Sequence, residues 1–241
     1  MTRPERARPG SGALASLPSL APLPTAAERA AAVIRENIFE GKFQPGTALP
    51  EAALSQALQI SRNTVREAFR ALMSEHLLTY ETHKGVAVRA LTVADVHDIY
   101  TLRQMFETSA IDLLDSGRAE LDPAALLEPV AAGEAAGAAD DWVTAGTANL
   151  RFHSNLVSVH GSTRMEEFFR RLMTEMRLGF LALEDPKTFH APYLVQNRSI
   201  ADKIIGGRYD EARTDLTAYL EQAKTEVAAA VAKQSTVDDD R

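Results

Sequence analysis

Residues 61–66 read Ser-Arg-Asn-Thr-Val-Arg, and five of the six carry side chains that can reach a phosphate or the edge of a base. Arg62 and Arg66 are candidates for base or backbone contacts, because a guanidinium matches guanine O6 and N7 with two parallel hydrogen bonds. Thr64 can meet a thymine methyl or a phosphate, Asn63 carries an amide with both donor and acceptor, and Ser55 and Ser61 can donate to phosphates. Farther along, His83-Lys84-Gly85 forms a second basic point, suited to a minor groove or the backbone beside it. Arg70 lies deeper in the same helix and reads as a solvent-facing charge.

These residues need a scaffold, and the chain from Ala52 to Leu72 supplies one. Leu54, Ala57 and Leu58, then Val65, Ala68, Phe69 and Leu72, recur at helical spacing in two short groups. Ile60-Ser61-Arg62 separates them, with Ser61 as N-cap of the second helix. Upstream, Thr25 caps a helix with Ala30, Val33, Ile34 and Ile38 on one face, ending at Gly41, and Pro50 opens the next. Downstream, Glu75-His76-Leu77-Leu78 closes the second helix, with His76 where a positive φ is often required. Leu77–Glu81 and Val86–Arg89 read as strands flanking the basic tip. Two helices joined by a tight turn and followed by a basic hairpin make a winged helix-turn-helix.

The run from Ile38 to Val88, with GKFQPGTALPE, LSQAL, ISRNTVREAFRALMSEHLL and KGVAV, resembles the winged domain of the GntR family of bacterial transcription regulators. Three positions depart from the family's pattern. Thr64 stands where most members have Pro, His76 where most have Gly, and Ala52 where some have a DNA-contacting Arg.

Length and composition bound the rest. With 241 residues and 45% hydrophobic content the chain can bury a sizeable core, and two domains are expected. It has no Cys, which excludes disulfides, thiolate metal sites and a Cys nucleophile and fits a reducing cytoplasm. No apolar run reaches the roughly 18 residues of a membrane span. The net charge of −7 is uneven: residues 25–90 hold eight cations and seven anions, whereas residues 91–241 hold fifteen and twenty-five. The acidic C-terminal part is not expected to touch DNA. Residues 1–24 are Pro-rich and read as a disordered tail with weak phosphate attraction through Arg3, Arg6 and Arg8. Pro18 and Pro22 interrupt its one apolar run, which argues against a signal peptide.

From Leu91 to about residue 233 the pattern is helical, and residues 234–241 form a polar tail. Thr92 caps a long helix with Val96, Ile99, Leu102, Phe106, Ala110, Ile111 and Leu114 as its apolar stripe, ended by Gly117. Five more helices follow. One opens at Asp122-Pro123. The next starts behind Asp140 or Asp141 and stops at Gly161, and a fourth starts behind Ser162 or Thr163 and is broken at Asp185-Pro186. The last two run from Pro192 to Ile205 and from Tyr209 to about Ala232. The expected architecture is mostly α, a winged domain over residues 25–90 followed by an antiparallel bundle. TLRQMFETSA, NLRFHSNL, the QNRSI run and GGRYDEA…AYL resemble the FCD-type effector domain of the FadR-like subfamily.

That resemblance implies a pocket. Such domains commonly hold a divalent metal on an Asp, a His four residues later and two further His. The matching positions here are Asn149, His153, Asn197 and Tyr219. One imidazole with two amides and a phenol is a poor ligand set for zinc or nickel, so no metal cofactor is expected. The four residues make either a satisfied polar core network or a pocket binding an organic effector directly; their retained hydrogen-bonding capacity favours the pocket. Arg103 stands at the family's Arg position as an anion anchor, its alternative being an ion pair with Glu107 one turn along. The effector class left open runs from a small organic acid to an acyl-CoA-like molecule.

The implied function is a cytoplasmic regulator, more often a repressor, binding double-stranded operator DNA as a homodimer and modulated by an anionic effector. The alternatives are a constitutive dimeric DNA-binding protein and, far behind, an enzyme using His153. No Ser-His-Asp, P-loop or His-Glu-x-x-His pattern supports the last.

Overall fold

The computed structural model describes residues 24–82 and 85–239. The tail at 1–23, the wing tip His83-Lys84 and the last two residues lie outside them. Three helices and a hairpin build the N-terminal unit: α1 (Ala26–Phe39), α2 (Glu51–Leu58), α3 (Arg62–Ser74), β1 (Leu78–Glu81) and β2 (Gly85–Val88). Thr25 closes a capping box on α1: its hydroxyl accepts the Glu28 N–H at 3.1 Å while the Glu28 carboxylate accepts the Thr25 N–H at 2.7 Å. Val65, Ala68, Phe69 and Leu72 of α3 are buried with Ala30, Ala31, Ile34 and Ile38 of α1 in one core. The strands pair antiparallel from Leu78↔Val88 to Glu81↔Gly85, one residue away from the boundaries that hydrophobic patterning suggests.

Two turns of this unit rest on non-glycine residues with positive φ. Gln59 joins α2 to α3 at φ 54°, and His76 ends the helix–strand turn at φ 59°. An L-residue there costs about 1–2 kcal/mol, offset in part by the extra chain entropy glycine would lose. His76 is exposed, so His76→Gly should raise stability by up to about 1 kcal/mol. A urea midpoint that moves up at unchanged slope checks it.

Six helices form the second unit: α4 (Val93–Asp115), α5 (Pro123–Ala138), α6 (Trp142–Val157), α7 (Thr163–Phe180), α8 (Pro186–Ile205) and α9 (Tyr209–Asp239). Thr92, Asp122, Asp141, Ser162 and Asp185 cap the first five through their side chains. Four boundaries correct the sequence reading. A 3-10 turn, Ser158–His160, separates α6 from Gly161. Helix α7 ends at Phe180, ahead of Asp185. Helix α8 begins at Pro186 rather than Pro192, because Asp185 caps it and Pro186 fills its first turn, where no N–H partner is needed. Pro192 is carried inside the helix at the loss of one backbone bond. Helix α9 continues to Asp239, so the expected polar tail is helical at least that far.

The larger correction concerns α4. Its most buried line is Val96, Ile99, Tyr100, Arg103, Glu107, Ala110, Ile111 and Leu114, while Leu102 and Phe106 are only partly buried. The core face of this helix therefore contains an ion pair.

Both units meet along α1, α6 and α7. Gly41, at φ 73°, lets the α1 terminus press on Arg177 of α7; a Cβ there would lie 2.6 Å from the Arg177 Nη2. In the linker, Arg89 donates to both oxygens of Asp95 at 2.7 and 2.8 Å and to Glu175 of α7 at 3.2 Å. Burial lifts the Glu175 carboxyl to about 7 against the pull of Arg89, with Asp95 adding to the rise. A folded pKa above the usual 4.5 means the folded state holds the extra proton, so this group's contribution is lost as pH rises through 7. Glu175→Gln should therefore be more stable than the parent at pH 8, on the order of 2 kcal/mol after allowing for partial solvent screening. The gap should close as pH falls toward the unfolded carboxyl value, which thermal melts across that range measure.

Candidate functional site

On the winged unit, the face of α3 opposite its core carries exposed Arg62, Asn63, Arg66 and Arg70. Ser61 caps the helix by accepting the Thr64 N–H at 3.1 Å, and its hydroxyl also lies 2.8 Å from the Thr64 hydroxyl. The cap thus aims the first turn of α3, and with it Arg62 and Asn63, outward. Arg62 makes no hydrogen bond or salt bridge among the described residues. Arg66 donates through Nε to both Glu51 oxygens at 2.9 Å, an exposed, solvent-screened pair that a phosphate can displace. Asn63 donates to Glu67 at 3.1 Å. Ser55 donates to the Ile60 carbonyl at 2.6 Å and so braces the turn rather than presenting a free hydroxyl hydrogen. Gly85 opens β2 at φ 86°, while its partners in the basic tip, His83 and Lys84, lie outside the described residues.

Inside the bundle a chain of hydrogen bonds crosses three helices. Arg103 Nε donates to Glu107 Oε1 at 2.9 Å, Glu107 Oε2 stands 2.6 Å from His153 Nδ1, and His153 Nε2 stands 3.0 Å from the Tyr219 hydroxyl. Asn149 Nδ2 completes it, donating to the same hydroxyl at 2.5 Å. All five side chains are buried. Burial drives the Glu107 carboxyl up, but Arg103 and His153 outweigh it and hold the group ionised. Burial also pushes His153 below its ordinary value, so the imidazole is neutral. The proton positions follow: the Glu107 carboxylate accepts Nδ1–H, which leaves Nε2 to accept the Tyr219 O–H, and the Tyr219 oxygen accepts from Asn149.

Among the described residues, four buried polar atoms of this part of the bundle have no hydrogen-bond partner: the Tyr100 hydroxyl, whose ring lies 5.0 Å from the Arg103 guanidinium, Arg103 Nη2, Asn149 Oδ1 and Asn197 Oδ1. The structure thus joins Arg103, Asn149, His153 and Tyr219 in one chain, and leaves Asn197 buried on α8 with its amide oxygen unpaired. Glu107, the hinge of the chain, is the residue that the sequence reading used only as an alternative partner for Arg103.

Two family profiles cover this architecture. Bacterial regulatory proteins of the gntR family match residues 26–88, and the FCD domain matches residues 98–222. The chain belongs to the GntR family of bacterial transcription regulators. A crystal structure described as a GntR transcriptional regulator from Rhodococcus sp. RHA1 is 35% identical, with a TM-score of 0.77 over 85% of this chain and 98% of that one. The Nta operon transcriptional regulator of Aminobacter aminovorans is 26% identical over 75% of this chain and 84% of its own length. The gluconate operon transcriptional repressor of Bacillus licheniformis is 35% identical over 39% of this chain, and the match spans only 37% of that repressor.

As a GntR regulator with an FCD domain, the protein is a DNA-binding transcription regulator and not an enzyme. Among the described residues no helix is long and apolar enough to cross a membrane. The four positions that the FCD resemblance marks as metal ligands hold Asn149, His153, Asn197 and Tyr219. His153 commits Nδ1 to Glu107 and Nε2 to Tyr219, and the remaining positions offer neutral amides and a phenol. No group of three or more His, Asp or Glu suited to a metal occurs among the described residues.

Proposed function

We propose that this GntR regulator grips a pseudo-palindromic operator as a homodimer in the cytoplasm, and that a small organic acid taken directly into the FCD bundle, without a metal, loosens that grip. The unpaired buried polar atoms of the bundle carry the reading. A buried polar atom left without a partner costs about 1–3 kcal/mol, and a ligand that supplies the partner recovers it on binding. Arg103 Nη2 calls for an acceptor such as a carboxylate oxygen, while Asn149 Oδ1 and Asn197 Oδ1 call for donors such as hydroxyls. Since Glu107 already neutralises Arg103, this arrangement favours a small acid with one anionic group and flanking hydroxyls over an acyl-CoA. Repression as the mode of action draws support from the gluconate operon repressor among the relatives.

In this reading a C2 dimer sets two α3 helices into successive major grooves, with Arg62, Asn63, Thr64 and Arg66 at the bases and backbone, Ser61 at a phosphate, and the wing at the neighbouring minor groove. The effector must favour one dimer geometry over the other, because equal affinity for both shifts nothing. The test is fluorescence anisotropy on a duplex selected by the protein from a random pool, titrated with a panel of hydroxylated and aliphatic carboxylates. At least one acid should weaken binding tenfold or more, and Asn197→Ala should lose that response while keeping its DNA affinity. An operator affinity that no acid moves would leave a constitutive DNA-binding protein instead.

A further inference from the structure

A cleft of about 340 Å³ runs between the winged unit and the bundle, and none of Arg103, Glu107, Asn149, His153 and Tyr219 lines it. Arg35, Glu36 and Phe39 of α1 form one wall, and Arg151, Glu166 and Arg170 of α6 and α7 form the other. The three arginines differ in what they can still do. Arg35 is locked by two parallel bonds to Glu75, at 2.7 and 2.8 Å. Arg151 gives only Nη2 to Glu40, at 2.7 Å, and lies over the Phe39 ring at 5.8 Å. Arg170 has no ion pair among the described residues.

The rest of the lining mainly accepts. Ser154 and Ser158 direct their hydroxyl hydrogens to the Leu150 and Asn155 carbonyls, which leaves their oxygens free to accept, while Asn155 gives one of its two N–H groups to the Ala125 carbonyl. Glu36 and Glu166 add carboxylates on the same rim. A bare polyanion would be repelled by those two groups; a purely cationic ligand would meet Arg151 and Arg170. One free guanidinium with a second half-engaged, set among acceptors, matches an oxyanion carried beside several hydroxyl groups.

We propose that this interdomain cleft is a second ligand site, taking a polyhydroxylated molecule with a single oxyanion group, of the sugar-acid or sugar-phosphate kind. Its oxyanion lies between Arg170 and Arg151, and its hydroxyls donate to Ser154, Ser158 and Glu166. A second hollow of about 270 Å³ shares Arg151 and Asn155 and has Glu40 on its border, so the Arg151–Glu40 pair divides one groove into two. A ligand drawing on Arg151 therefore acts on a contact that ties the end of α1 to the bundle. Because both units contribute walls, occupancy favours the arrangement of the two seen here.

Isothermal titration of the full chain with D-gluconate and with D-glucose 6-phosphate tests this. Saturable binding of either, in the millimolar range or tighter, is expected, and the responding probe identifies the oxyanion as carboxylate or phosphate. Arg170→Ala and Arg151→Ala, both exposed enough to leave folding intact, should each weaken that binding about tenfold or more. In Asn197→Ala, which disables the proposed bundle pocket, a saturable component should remain and should still weaken with Arg170→Ala. The proposal is overturned if neither probe saturates by about 10 mM, if both arginine variants bind like the parent, or if Asn197→Ala alone removes the signal, which would put the ligand in the FCD pocket.

Discussion

Replacing Glu107 with alanine should cost about 3–5 kcal/mol of stability, the largest effect of any single substitution discussed here. The change strips the Arg103 guanidinium of the partner holding its Nε at 2.9 Å, and leaves the His153 Nδ1–H without its acceptor at 2.6 Å. Neither group can turn to solvent, since both side chains are buried. A domain of ordinary stability, about 5–15 kcal/mol, would be brought close to unfolding. Trp142, the one tryptophan, sits at the start of α6 and reports on the bundle rather than on the winged unit. Its fluorescence during urea unfolding should show an early transition in Glu107→Ala, while Glu107→Gln, which still accepts from His153, loses less. Removing the pair together, as Arg103→Met with Glu107→Leu, should restore the part of the loss due to the stranded Arg103 charge, while the His153 Nδ1–H still lacks its acceptor. A loss below about 1 kcal/mol in Glu107→Ala would mean that the ion pair is wet rather than buried.

Arg62→Ala should lower affinity for the selected duplex by about 1–3 kcal/mol, roughly fivefold to 150-fold. The reason is its freedom: no carboxylate among the described residues must be displaced before it reaches DNA. Salt dependence then separates its roles. If Arg62 meets a phosphate, the slope of log affinity against log salt falls by about one. If it reads a base, the slope holds and selectivity at one position relaxes. Arg66 makes the contrast, being bound to Glu51. Glu51→Gln should release it, raise affinity for any duplex and steepen the salt slope. Unchanged affinity in Arg62→Ala would remove the start of α3 from the interface.

The winged unit was legible because its signals are local. A capping Thr25, a capping Ser61, Pro50 and two short apolar groups define three helices within a residue or two, and His76 marks its turn. Gln59 escaped notice because its αL turn carries none of the usual Gly or Asn. The bundle was legible in order but not in phase. On α4 the apolar residues Leu102 and Phe106 drew the stripe one position aside, whereas the spacing Val96, Tyr100, Arg103, Glu107, Ala110, Leu114 holds the true core line. Charges on a helix read as solvent-facing unless a partner is seen, and the partner here, His153, is 46 residues away. Pro192 misled for a related reason: a proline inside a pattern suggests a start, and only the better cap at Asp185 shows otherwise. The interdomain cleft leaves no periodic trace at all, since its walls come from three helices of two units.

Native mass spectrometry after incubation with equimolar zinc or nickel, followed by buffer exchange, tests the metal-free effector pocket most directly. The mass should show a dimer with no metal retained, and His153→Ala should likewise retain none. One metal ion held per chain by the parent and lost in His153→Ala would contradict the account. It would mean that Tyr219 swings off His153 Nε2 and that Asn149 and Asn197 serve as ligands after all.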